Sequence, residues 1–122
     1  MNITGIIELE GLVAEIQQAG QAWIDSRLRS DQLEADEKSY LAALMNDLEK
    51  AFKGEKVSEA KLDRLARGSA EFRAYITGRA TATAETGRRK VEYDAKLNLW
   101  EAKRSTMAFE RAKLERGLFH HT

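Results

Sequence analysis

Tyr93, Trp100, Met107 and Leu114 recur at seven-residue steps near the end of the sequence. Two turns of an α-helix hold about 7.2 residues, so a step of seven returns a side chain to nearly the same face. The segment is therefore expected to be helical, and its apolar stripe has to meet something. Arg89, Lys96, Lys103, Arg104 and Arg111 share the flank of that stripe. Two partners suit rings set among positive charges. One is another helix, with the basic stems lying over the seam and their charges kept in water. The other is single-stranded DNA, with its phosphates on the basic residues and its bases stacked on Tyr93 and Trp100. Met and Leu within the series favour the helix contact.

Composition agrees with a long helix. The 122 residues include no Pro and no Cys, and a third of them are charged. Such a length makes one domain, and Ala, Glu, Lys, Leu and Arg dominate as they do in coiled coils. The 43% hydrophobic content is too high for disorder, yet aromatics reach only 7%. A chain of this kind buries a thin seam more easily than a round core, and self-association would supply the missing burial. Without cysteine there are no disulfides, thiolate metal sites or cysteine nucleophiles. No basic segment leads into an apolar run, and no stretch approaches the roughly 20 apolar residues of a membrane span. A cytoplasmic protein without membrane contact is the expectation.

Net charge is zero, but residues 1–60 hold 6 basic and 12 acidic side chains, whereas 86–122 hold 9 and 5. An acidic first half and a basic second half suit antiparallel packing of the chain on itself, ahead of a basic end presented to nucleic acid.

Three helices are expected, over about residues 4–29, 31–52 and 58–117. Leu9, Val13, Ile16, Gly20 and Trp23 alternate steps of four and three, a heptad-like seam. Asp31 with Glu34 three residues on resembles a capping box, so a kink or new helix is expected there. Leu33, Leu41, Leu44, Leu48 and Phe52 carry the apolar face onward, and Gly54 marks a stop. Ser58 is the expected N-cap of the long C-terminal helix. Gly78 or Gly87 is its expected break, and the small-residue run between them is either a close-approach surface or a hinge. On that helix Val91, Ala95, Asn98, Ala102, Ser105, Phe109 and Ala112 form a second seam. It lies on the face opposite the stripe at 100° per residue. One face is expected to pack on the N-terminal helices and the other to make a second contact.

Other features read more plainly. Asn98 in the small-residue seam is a register-fixing polar group. Trp23 is core rather than a binding platform, and Arg88-Arg89-Lys90 is a solvated basic face before it is a phosphate contact. The acidic cluster Asp31, Glu34, Asp36 and Glu37 lacks the glycine turn of a calcium loop. His120 and His121 form a tail or tag without the further ligands that a metal site needs. The isolated glycines form no phosphate loop, and no Ser, His and Asp have catalytic spacing. The expectation is a non-enzyme with no cofactor, metal or small-molecule substrate.

Ser69-Ala70-Glu71-Phe72-Arg73-Ala74-Tyr75, then Lys90-Val91-Glu92-Tyr93, Leu99 to Ser105 and Ala108-Phe109-Glu110-Arg111-Ala112, resemble a set of small helical phage and prophage proteins. Those chains place a Trp-x-x-x-Arg-Ser/Thr run before an Arg-Ala-Glu-like helix end. Here Trp100, Arg104 and Ser105 fit the run, while Lys113 stands where an acid is usual. The likeness spans residues 58–117. It implies an accessory protein encoded near phage recombination or replication functions, and it carries over no catalytic residue. An inhibitor of a host nuclease or defence protein and a purely structural coiled coil are the alternatives.

Together these readings predict an all-α, elongated antiparallel helical hairpin or coiled coil with one long C-terminal helix. It is expected to be a homo-oligomer, with Tyr93, Trp100, Met107 and Leu114 in the second contact.

Overall fold

The computed structural model describes residues 3–120, and side-chain environments for 3–117. It contains α1 (Ile3–Ala51), α2 (Glu59–Arg67) and α3 (Ala70–His120), with no strand among the described residues. The all-α class and the long C-terminal helix are as expected. Contacts gather into two compact units, Met1–Ile24 with Gly87–Thr122 and Asp25–Thr86. His121 and the side chain of His120 lie outside the described residues.

Two helix boundaries differ from the sequence expectation. No new helix begins at Asp31, because α1 runs through it. The polar groups there serve the sides of the helix: Asp31 pairs with Arg27 one turn back at 4.0 Å, and Gln32 donates to Asp36 at 2.9 Å. In the second half the chain breaks at Gly68-Ser69, not at Gly78 or Gly87. What distinguishes Gly68 is the serine after it. Ser69 Oγ accepts from the Phe72 N–H at 3.1 Å and donates to the Ala66 carbonyl at 2.6 Å. It thereby satisfies a donor at the start of α3 and an acceptor at the end of α2. Ser58 caps α2 as expected, accepting from the Lys61 N–H at 3.2 Å. The stop at Gly54 is also where expected, with φ +87° there and +49° at Lys53.

A Cβ at Gly78 or Gly87 would meet nothing within 4 Å. Both glycines lie exposed inside α3, where glycine costs about 1 kcal/mol against alanine. Gly78→Ala and Gly87→Ala are therefore each expected to stabilise the fold by about 0.5–1 kcal/mol, read as a rise in thermal midpoint.

In the unit Asp25–Thr86, Leu41, Ala66 and Phe72 form a buried cluster flanked by Tyr40, Leu44, Met45 and Leu48. α2 is amphipathic and buries Leu62 and Ala66. Its short length gives it little stability of its own, so this burial holds it in place.

Farther along, α1 and α3 run antiparallel across a polar layer. Arg79 reaches Glu37 at 2.7 Å and Glu34 at 3.7 Å. Ser30 meets Thr83 at 3.2 Å, and Ser26 meets Thr86 at 3.0 Å. Thr83 and Thr86 each spend their one hydroxyl proton on a carbonyl of their own helix, so the serines are the donors between helices. The small-residue run is thus a close-approach surface, with Ala82 buried inside an unbroken helix, and not a hinge.

Tyr40 and Tyr75 stack in the same unit at 4.5 Å and 15°, and the Tyr75 hydroxyl donates to the Leu33 carbonyl. Desolvation raises the Tyr75 pKa above its ordinary value of 10.0; Asp36 and Glu37 push the same way, and Arg79 pulls it down. The folded state therefore holds this proton more tightly than the unfolded state. Its stabilisation is whole below about pH 10 and is lost as pH rises through the raised value. Urea unfolding between pH 8.5 and 11 is expected to show falling stability. Tyr75→Phe should flatten that dependence.

Candidate interaction surface

In the other unit the start of α1 packs antiparallel on α3. Along α1 a buried and half-buried series runs through Gly5, Leu9, Leu12, Ile16, Ala19 and Trp23, with Gly20 and Ala22 half-buried beside it. Along α3 the matching half-buried series is Arg89, Tyr93, Lys96, Trp100, Lys103 and Met107, with Lys90, Asp94 and Leu97 half-buried beside it. Both series alternate steps of four and three, the spacing of a coiled-coil seam. Leu9, Ile16 and Trp23 are where the sequence reading put them. Gly20 is half-buried there too, whereas Val13 stands 39% exposed and Leu12 takes the place assigned to it.

The stripe is the face that meets α1. Tyr93 stacks on Trp23 with ring centroids 5.6 Å apart and planes 23° apart. Lys90 Nζ lies 4.5 Å from the Trp23 ring centroid, adding a cation–π contact. Small residues on α1 make room for large ones on α3. A Cβ on Gly20 would stand 3.1 Å from Tyr93 Cε2, and one on Gly5 would stand 3.3 Å from Met107 Cε. Tyr, Trp and Met remove more apolar area from water than Ala or Asn, so a helix with one partner buries that face first.

The roles assigned to the two faces of α3 are therefore exchanged. The seam expected to pack on the N-terminal helices points outward: Val91 is 68% and Phe109 64% exposed, and Ala95, Asn98 and Ala102 between them are exposed as well. Asn98 fixes no register within the chain. Leu114, the last of the sevens, is 63% exposed. Met107 lies against Gly5, and another two turns carry Leu114 about 10 Å past that contact.

The basic flank is occupied too. Lys96 pairs with Glu15 at 3.7 Å and Lys103 with Glu8 at 3.4 Å, joining α3 to α1. Arg89 pairs with Glu92 at 3.4 Å, Arg104 with Glu101 at 3.9 Å and Arg111 with Glu115 at 3.3 Å. Arg104 also covers the Trp100 ring at 5.1 Å. Partly exposed pairs of this kind add little stability, but they cancel the positive field a phosphate backbone would follow. The rings expected to stack bases are engaged with α1 and with Arg104. The acid–base division seen in the sequence is here used for packing α1 on α3.

Among the described residues no group of three or more His, Asp or Glu is placed to hold a metal ion. No described helix is long and apolar enough to cross a membrane.

No family model, curated protein or solved structure matches this chain. Its class rests on the fold: an all-α protein in which α1 and α3 pair antiparallel within each unit. The signal that could have assigned the faces is the pairing of the glycines at 5 and 20 with the large residues at 107 and 93. That pattern is visible only when both helices are considered at once.

Proposed function

We propose that this chain is a non-enzymatic accessory protein that acts through protein contacts as a homo-oligomer. The setting is phage DNA recombination or replication in the host cytoplasm, as the resemblance over residues 58–117 implies. The observation that carries this reading is the outward face of α3, where a second apolar seam of coiled-coil spacing stands open to solvent. Exposed apolar surface of this regularity marks an interaction site more often than it marks accident. Any link to DNA then runs through a bound protein, because Tyr93 and Trp100 are engaged inside the chain.

Fluorescence polarisation of labelled single-stranded and duplex DNA, with light-scattering mass on the same sample, tests the reading. The expected result is a mass above the 13.8 kDa of one chain and no salt-steep DNA binding. A single-chain mass together with salt-steep binding that Trp100→Ala abolishes would return the stripe to nucleic acid and overturn the proposal.

A further inference from the structure

The chain exposes 9430 Å² of surface. A folded monomer of 13.8 kDa is expected to expose about 6,600 Å². The excess of about 2,800 Å² per chain is ample for an obligate interface, which buries roughly 2,000–5,000 Å² over both partners. Only seven described residues are buried, and none has a large side chain that is fully buried. Surface of this extent leaves ample area for a partner, and the outward seam of α3 has the form to receive one.

We infer that this seam binds a second copy of the chain, α3 against α3, antiparallel about a two-fold axis near residue 100. The inference rests on the reading of the chain as an oligomeric interaction protein, and it names the partner and the register. Val91, Ala95, Asn98, Ala102, Ser105 and Phe109 are spaced by four, three, four, three and four, a series that reads the same in both directions. An antiparallel two-fold maps such a series onto itself, as an isologous interface requires. Val91 then meets the partner's Phe109, Ala95 the partner's Ser105, and Asn98 the partner's Ala102. The two large pairs close the ends, and small residues let the helices approach between them.

The charges along this face select the direction. In the antiparallel register Arg88 falls opposite the partner's Ala112, Glu92 opposite the partner's Ala108, and Asp94 opposite the partner's Thr106. A parallel register would set Arg88, which continues the spacing of the seam, against its own copy, which is repulsive. Asn98 beside the axis is the polar residue that penalises a slipped register.

Light scattering of the wild type and of Ala102→Glu tests the face. The same charge placed by Gln18→Glu on an exposed α1 position is the control, and circular dichroism confirms helicity in all three. The wild type and Gln18→Glu are expected at about twice 13.8 kDa, and helical Ala102→Glu at the mass of one chain. Should helical Ala102→Glu stay dimeric, the interface lies elsewhere; this inference then falls while the oligomeric reading survives. A wild type of single-chain mass up to ~200 µM would overturn both. Direction is read by spin-labelling a cysteine introduced at Lys113, since the chain has none of its own. The antiparallel register puts the two labels about 39 Å apart at ~1.5 Å per residue. A separation near 10 Å, the distance between packed helices, would mean parallel pairing and overturn the register.

Discussion

Phe72→Ala is expected to lower the unfolding free energy by about 3–4 kcal/mol, the largest loss from any single truncation. Phe72 is 6% exposed and packs with Leu41 and with Ala66, which is wholly buried. Arg67 lies over its ring at 5.9 Å, and its own N–H is held by the Ser69 cap. Truncation therefore opens a cavity where α2 meets both long helices. A nine-residue helix is too short to persist without that support. Urea unfolding measures the loss, and hydrogen exchange on residues 59–67 is expected to rise with it. A loss under 1 kcal/mol would mean that this cluster is not the support of α2.

Trp23→Ala is expected to cost about 2–3 kcal/mol, because it removes the stack on Tyr93 and the cation–π contact with Lys90. Phe109→Ala, measured at a concentration where the chain is single, is expected to change stability by less than 0.5 kcal/mol, as exposed substitutions do. The contrast separates the two seams of α3 by their effect on the folded chain. Equal losses from the two variants would show that the outward seam packs within the chain after all.

Much of this architecture was legible in the residues. Helicity follows from the composition and from a sequence without proline. The Ser58 cap and the Gly54 stop follow from local chemistry that needs no tertiary contact. The core residues Leu41, Leu44 and Leu48 follow from periodicity alone.

Two things did not follow. A break at Gly68 competes with breaks at Gly78 and Gly87 on glycine cost alone. It is decided by the Ser69 hydroxyl, which serves two helices at once. The facing of α3 is a tertiary matter: both of its seams have helical spacing, and each is apolar enough to be buried. The choice rests on Gly5 and Gly20 of α1, whose lack of bulk receives Met107 and Tyr93 of α3. The five basic residues kept their place beside the stripe, but their nearest carboxylates come from α1 and from neighbouring turns of α3. Spacing along one helix gives no access to the first of these.

The thermal midpoint measured against protein concentration tests the self-associating protein most directly. A folded state held by association gains stability by mass action, so its midpoint rises with total chain. For a dimer of this size the rise is about 3 °C for each tenfold increase in concentration. The wild type is expected to show that slope and Ala102→Glu to show none. A wild-type midpoint that stays flat from 1 to 200 µM would contradict the account, because α1 and α3 would then be stable as a single chain with their outward seam unpartnered.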